Sequence, residues 1–216
     1  MDNQELHLNE ETPAQAGPGQ DGGSERGIEL QTSSEKKIQE RAYGVNSESS
    51  ESWTLMDWAV YYAEQHLLYL FPSRPKSKTP LIKDWPNEAT NDPQTIREWW
   101  TQYPNANIGC VPGKSGLVVI DVDIKPNKKP PKRGDKVLEQ LEFEYGRLPD
   151  TVRQETGSGT GYQLFFKKPD PSQKVKSVED GLGHGIDIRS DSGYAVLPPS
   201  IHPDTGQRYE WEYSSA

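Results

Sequence analysis

The chain has 216 residues, a formal net charge of −9 and a single cysteine, Cys110. One cysteine excludes an intramolecular disulfide and any cysteine-rich zinc module, and it fits a reducing, cytoplasmic setting. The longest apolar run is far too short to span a bilayer, and the N-terminus is acidic and polar where a secretory signal needs basic then apolar residues, so no membrane partner is expected.

Residues 1–50 contain no Trp, Phe or Cys and carry ten acidic against four basic residues. Such a segment buries too little apolar surface to offset its chain entropy, and it is predicted to be a disordered acidic tail. All six Trp and all four Phe lie in residues 51–216, which are expected to form one domain. The tail accounts for −6 of the net charge, so the domain is close to balanced. A nucleic-acid partner is neither implied nor excluded by that balance; the clustering of basic residues decides.

In chain order, LMDWAVYYAEQHLL (55–68) spaces Trp58, Ala59, Tyr62, Ala63 and His66 at helical intervals. LYLFPS (68–73) reads as a short strand ending at Pro72, and a proline-rich loop follows. Asp92 as N-cap with Pro93 at the first helical position predicts a helix through IREWW to Tyr103. Adjacent Trp99 and Trp100 cannot face the same way; core packing and base stacking are both open to them. ANIGCVPG (106–113) and GLVVIDVDI (116–124) read as strands joined by a Pro/Gly turn. KPNKKPPKRGDK (125–136), with six basic residues and one acid, reads as a loop, and VLEQLEFEYG (137–146) as a helix closed by Gly146. TVRQET (151–156), the Gly-rich GSGTG (157–161) and YQLFFKK (162–168) suggest a hairpin. After a polar loop, GIDIRS (185–190), GYAVLPPS (193–200) and RYEWEY (208–213) suggest three more strands. Many strands with few helices predict an α+β domain with a mixed, largely antiparallel sheet.

GLVVIDVDI runs four apolar residues into two aspartates. Residues i and i+2 of a strand share a face, so Asp121 and Asp123 project side by side about 6–7 Å apart. Carboxylates that close repel unless a positive charge sits between them, and Mg²⁺ or Mn²⁺ is the usual one, with substrate phosphates completing its shell. Asp187, between two isoleucines, needs a partner if buried. It either pairs structurally with Arg189 or joins Asp121 and Asp123 in a three-carboxylate, two-metal site for phosphoryl displacement. The glycines of TGSGTGYQ (156–163) allow backbone N–H groups to approach a phosphate, with Ser158 and Thr160 as further donors, although the same pattern also makes a flexible turn. No Gly-Lys-Ser/Thr follows, so it is not a P-loop.

The combination resembles a known family. Phe71-Pro72, Lys78-Thr79-Pro80, Trp85, Ala89-Thr90 and Trp99-Trp100 come first. PNANIG (104–109), the DVD strand, LPDT (148–151), TGSGTGYQLFF (156–166), GIDIRSDSGYAVLPPS (185–200) and YEW (209–211) follow in the same order. This is similar to the bifunctional DNA primase/polymerase (prim-pol) N-terminal domain of the archaeo-eukaryotic primase superfamily, found in plasmid, phage and prophage replication proteins, over about residues 55–213. The resemblance implies an AEP-like architecture with an RNA-recognition-like catalytic half. It implies a DNA primase and DNA polymerase, a nucleotidyltransferase that uses Mg²⁺ or Mn²⁺, an NTP or dNTP and a single-stranded DNA template. Carried across, Asp121, Asp123 and Asp187 are the catalytic metal ligands. Ser158 and Gly159 belong to the nucleotide-binding turn, Arg189 contacts the triphosphate, and His202 lies near the same site.

Two departures stand out. A histidine that in many relatives contacts the triphosphate is Gln163 here, which can donate a hydrogen bond but carries no charge. The zinc-binding stem of some relatives cannot be built with one cysteine. Larger members continue into a helicase, so a replicative helicase is a possible partner. Lys128, Lys129, Lys132 and Arg133 could hold the DNA backbone, or form a solvated loop. An inactive nucleotide- or DNA-binding module that recruits a helicase or initiator is the alternative function. A glycosyltransferase would also use Asp-x-Asp but leaves GIDIRSDSGYAVLPPS unexplained. A haloacid-dehalogenase-like phosphatase expects Thr or Val where Lys125 stands.

Overall fold

The structure, a computed structural model, describes residues 53–212. The disorder predicted for residues 1–50 lies outside the described residues. Helix α1 spans Leu55–His66 and opens on a reciprocal cap: the Thr54 hydroxyl accepts from the Asp57 N–H while the Asp57 carboxylate accepts from the Thr54 N–H. It ends where Leu67 turns left-handed at φ 54°. Strand β1 (Leu70–Ser73) follows, continuing one residue past the expected stop at Pro72. The expected loop then contains a short helix, α2 (Trp85–Glu88). Helix α3 (Pro93–Gln102) starts where predicted, with the Asp92 carboxylate accepting from the Thr95 N–H at 2.9 Å. Trp100 is fully buried and donates to the Ala106 carbonyl, whereas Trp99 is only partly covered, which resolves the pair in favour of core packing for Trp100.

Next come β2 (Asn107–Cys110), β3 (Leu117–Val122), β4 (Ile124–Lys125) and β5 (Lys132–Arg133). The basic stretch is therefore not simply a loop: β4 and β5 pair as a two-stranded ribbon around its exposed tip. Helix α4 (Gly134–Tyr145) leads to β6 (Val152–Glu155) and β7 (Tyr162–Lys167), the predicted hairpin. β8 (Val178–Gly183) occupies a segment expected to be a polar loop; it is an exposed edge strand without the apolar alternation that marks a strand in sequence. β9 (Ile186–Arg189), β10 (Ala195–Leu197) and β11 (Glu210–Trp211) complete the chain.

The strands form a three-stranded sheet, β1-β2-β10, and a six-stranded sheet, β11-β6-β7-β3-β9-β8. Every pairing described is antiparallel, so the α+β expectation holds and its mixed-sheet element does not. Pro72 lies on β1, an edge strand, where its missing N–H costs no ladder bond. Alternation along β3 divides the core. Ile120 and Val122 pack with Leu138 of α4 on one face, while Val119 on the other joins a larger cluster with α1, α3, β1, β2 and β10. Cys110 is buried in that cluster, where burial pushes its thiol up to about 12 and leaves it unreactive at neutral pH. No helix of the described residues is long and apolar enough to cross a membrane.

Candidate active site

Asp121 shares the face of Val119, so the strand that anchors the larger core carries a carboxylate one step beyond it. In antiparallel pairing, residues directly opposite point to the same side. Gln163 of β7 lies opposite Asp121 on one flank and Asp187 of β9 lies opposite it on the other. Gln154 of β6 lies opposite Gln163. Four neighbouring strands thus contribute one polar residue each to a continuous row, Gln154–Gln163–Asp121–Asp187, beside an apolar row that includes Phe165 and Val119.

The amides in this row are oriented by one another. Gln154 Nε2 donates to Gln163 Oε1 at 2.6 Å and to the Val196 carbonyl at 2.8 Å, which leaves the Gln163 amide nitrogen to donate to Asp121. Burial pushes the Asp121 carboxyl above its ordinary value, against the opposing effects of the Gln163 hydrogen bond and of Arg189, and the neighbouring Asp123 charge adds to the rise. Asp187 is 5% exposed and both its oxygens are occupied: one accepts from the Asp180 N–H at 2.8 Å, the other from Arg189 Nη2 at 2.5 Å. The same guanidinium approaches Asp121 at 3.8 Å. Arg189 therefore ties the two facing carboxylates together. Asp123, just beyond β3, is held by Lys125 at 2.6 Å and Lys132 at 3.3 Å. Its burial would raise the carboxyl, but these two cations outweigh it and hold the group below the usual carboxylate range.

Two cavities meet at Asp121. A polar one of about 480 Å³ is lined by Asp121, Asp123, Lys125, Lys128, Ser158 and His202, among others. A smaller one of about 210 Å³ has aromatic walls, Trp85, Tyr194 and Tyr209, and also contains Arg189. Lys78, Asp121 and Gln163 line both. The Lys78 ammonium makes no ion pair among the described residues.

The Gly-rich turn closes on itself. Gly159, at φ +79°, takes a backbone conformation that favours glycine, and its N–H donates to the Thr156 carbonyl at 3.1 Å. Ser158 Oγ meets Thr156 Oγ1 at 2.6 Å and accepts from the Gly161 N–H, so the Gly159 and Gly161 N–H groups are used within the turn. A side chain at Gly157 would strike His202 Cβ at 2.6 Å, so the glycine is what lets the segment after Pro198-Pro199 lie against the turn. His202 is buried, and its Nδ1 accepts from the Asp204 N–H at 3.3 Å, which places the neutral ring's proton on Nε2. Burial first, then the Lys78 charge, lower its pKa.

Of the residues singled out from sequence, Asp121, Asp123, Ser158, Gln163, His202 and Lys128 are gathered around the polar cavity. Asp187 sits beside Asp121 but lines neither cavity, and Gly159 lies in the adjoining turn. Lys129 is at the exposed ribbon tip, whereas Lys132 is engaged by Asp123 and Asp180 and Arg133 by Asp135. Lys78, Gln154 and Tyr209 went unassigned. Gln154 carries a faint signal, a polar residue in the strand phase that pairs with Gln163; Lys78 and Tyr209 stand in motifs that mark the family resemblance, but nothing local places them at the site, because that depends on contacts distant in sequence. Among the described residues no three or more His, Cys, Asp or Glu side chains are gathered closely enough to hold a metal ion. Of the three carboxylates lining the polar cavity, Asp121, Asp123 and Asp204, the first two stand two residues apart at the end of one strand, a donor pair that fits a Mg²⁺- or Mn²⁺-type ion whose remaining ligands are phosphate and water oxygens.

The family model for bifunctional DNA primase/polymerase, N-terminal, matches residues 59–215, more than half of the chain. No curated protein matches the chain.

The raised Asp121 carboxyl has a measurable consequence. A carboxyl raised by burial costs stability where it is charged in both states and nothing where it is protonated in both. Asp121→Asn is therefore expected to raise the thermal midpoint of metal-free protein at pH 7, with the gain shrinking toward zero below about pH 4. Thermal melts of both proteins across that range check it, and a variant less stable than wild type at pH 7 contradicts it.

Proposed function

Because the chain belongs to the bifunctional DNA primase/polymerase N-terminal family, a family of nucleotidyltransferases that bind nucleotides and DNA and typically use divalent metals, we propose that it is a template-directed DNA primase/polymerase. The observation that carries the proposal is the in-register polar row with Asp121 at the shared wall of two cavities. An AEP-like architecture and a role in plasmid, phage or prophage replication belong to the same reading.

In the reaction, a 3′-hydroxyl attacks the α-phosphorus of an NTP or dNTP and gives up its proton to solvent; the new P–O bond forms as the bond to the bridging oxygen breaks, and pyrophosphate leaves. Asp121 and Asp123 would hold the divalent ion, with Asp187 beside them. When bound, the ion supplies charge neutralisation for the phosphates and activation of the attacking hydroxyl. The chain's own groups do the rest. Lys78 offers its ammonium group to the polyphosphate, and neutral His202 offers its Nε2–H. Ser158 and Gly159 shape the turn that borders it. Gln163, fixed by Gln154, holds Asp121 through a hydrogen bond in place of a cationic contact. Arg189 keeps Asp121 and Asp187 together, which favours a positioning role over direct triphosphate contact.

A second reading, a nucleotide- or DNA-binding module without catalysis, is favoured by the neutral Gln163 and by the ion pairs that already engage Asp123 and Asp187. One assay separates the two. Full-length protein is incubated with Mn²⁺, single-stranded template with or without primer, and labelled dNTPs or NTPs. Product is expected, and Asp121→Asn with Asp123→Asn should reduce it on the order of 10²-fold or more, the scale of losing metal-assisted charge stabilisation. Equal product from the double variant overturns the assignment; saturable binding with no product in any metal favours the second reading.

DNA contact is assigned to the ribbon tip, with Lys128 and Lys129 carrying it and Lys132 and Arg133 holding the ribbon in shape. Replacing Lys128 and Lys129 with Ala should reduce the steepness of log K against log salt for single-stranded DNA by about 1.4, at roughly 0.7 per lost phosphate contact. Binding isotherms over a salt series measure this, and an unchanged slope refutes it.

A further inference from the structure

The aromatic walls of the smaller cavity have no part in the metal and phosphate chemistry above, yet they are built. Trp85 packs against Phe71 with ring centroids 5.2 Å apart and meets Tyr194 edge-on at 4.9 Å. The Tyr194 hydroxyl is pinned to the Lys78 carbonyl at 2.6 Å. These walls are preorganised, which lowers the ordering cost of binding a ring or a sugar between them.

Tyr209 is the anomaly in this wall. It is 2% exposed, and its hydroxyl is buried with no hydrogen-bond partner among the described residues. Buried hydroxyls are normally bonded, and an orphan calls for an explanation. The residue is not loosely placed: its N–H donates to the Ser200 carbonyl at 2.9 Å and its ring lies 5.8 Å from that of His202. Burial and the nearby Asp121 charge push its hydroxyl pKa up, so it stays a protonated donor.

Size and position indicate the occupant. At about 210 Å³ the cavity is smaller than the roughly 300–1,000 Å³ of whole-ligand pockets, so it suits part of a ligand. The larger polar cavity adjoins it through Lys78, Asp121 and Gln163. In nucleotidyl transfer the α-phosphorus lies between the nucleoside and the departing pyrophosphate. A junction marked by Asp121, with Lys125 and Lys128 on the polar side and the rings of Trp85, Tyr194 and Tyr209 beside Arg189 on the other, matches that division.

We propose that the aromatic cavity receives the nucleoside of the incoming nucleotide and that the Tyr209 hydroxyl bonds a sugar hydroxyl, making Tyr209 a sugar-reading residue. The proposal rests on the functional reading above and deepens it. The base or sugar lies against Trp85 and Tyr194, and the orphan hydroxyl gains its missing partner when the nucleotide binds. A nucleotide lacking the sugar hydroxyls leaves that hydroxyl unpaired.

Calorimetric titration tests this with the full chain in Mn²⁺ and no template or primer. The probes are ATP, dATP and 2′,3′-dideoxy-ATP, against wild type and Tyr209→Phe. Wild type should bind at least one of the hydroxyl-bearing nucleotides more tightly than the dideoxy form. Tyr209→Phe should weaken that nucleotide by roughly 3- to 10-fold, the value of one neutral hydrogen bond, and leave the dideoxy form within about twofold. Its thermal midpoint should be unchanged or higher, since an unpaired buried hydroxyl is removed; a purely structural tyrosine would instead lower it. Trp85→Phe should weaken all three alike. Nucleotide binding by wild type with the same ratios in Tyr209→Phe overturns the sugar-reading role alone. No binding of any of the three to wild type overturns the functional reading, and this inference with it.

Discussion

The antiparallel register of β3 between β7 and β9 is the constraint on which the site depends. It fixes Asp121 between Gln163 and Asp187 on one face, with Gln154 continuing the row. Slipping β3 by one residue would send Asp121 into the packing beneath α4 and bring Ile120 to the cavities. The apolar residues prevent that slip. Val119 fits one cluster and Ile120 and Val122 the other, so the hydrophobic core sets the position of the carboxylate.

The row is costly to maintain, and its neighbours show how it is tolerated. A carboxylate at the edge of a core loses hydration that must be replaced by hydrogen bonds or opposite charge. Asp187 is fully provided for by Arg189 and a backbone N–H, and Asp123 by two lysines. Asp121 is the exception. It has a neutral amide and a guanidinium no closer than 3.8 Å, and its carboxyl is raised accordingly. A group left short of positive charge at the junction of two cavities is where an added cation or a phosphate-bound metal would gain most. Lys78, which lines both cavities without an ion pair among the described residues, places further positive charge at that junction.

Much of this was legible in the sequence where the governing physics is local. Thr54 and Asp92 announce their helices through capping, the spacing in IDVD puts two carboxylates on one face, and Gly157–Gly161 mark a tight turn. What was hidden depends on distant partners. Nothing near β3 tells which strands flank it, so spacing alone leaves Asp187 free to pair with Arg189 or to join Asp121 and Asp123 in a metal site, and only the structure shows it opposite Asp121 with both its oxygens already taken by Arg189 and the Asp180 N–H. β8 went unread because an exposed edge strand has no apolar alternation. The basic stretch read as a loop because β4 and β5 are two residues each. Lys132 and Arg133 looked available to DNA, yet a charge-rich ribbon beside acidic residues satisfies itself first. Tyr209 reaches the site through a segment that follows the Pro198-Pro199 pair and lies against Gly157, a close approach that residue types alone do not reveal.

Diffraction from crystals grown with Mn²⁺ and a non-hydrolysable nucleoside triphosphate, recorded for the anomalous signal of manganese, addresses the central claim most directly. The account predicts a manganese peak bonded to oxygens of Asp121 and Asp123 and to the phosphates, with the Lys125 ammonium moved off Asp123. A manganese ion bound elsewhere, with the Lys125–Asp123 and Lys132–Asp123 pairs intact and the polyphosphate outside the polar cavity, would contradict it.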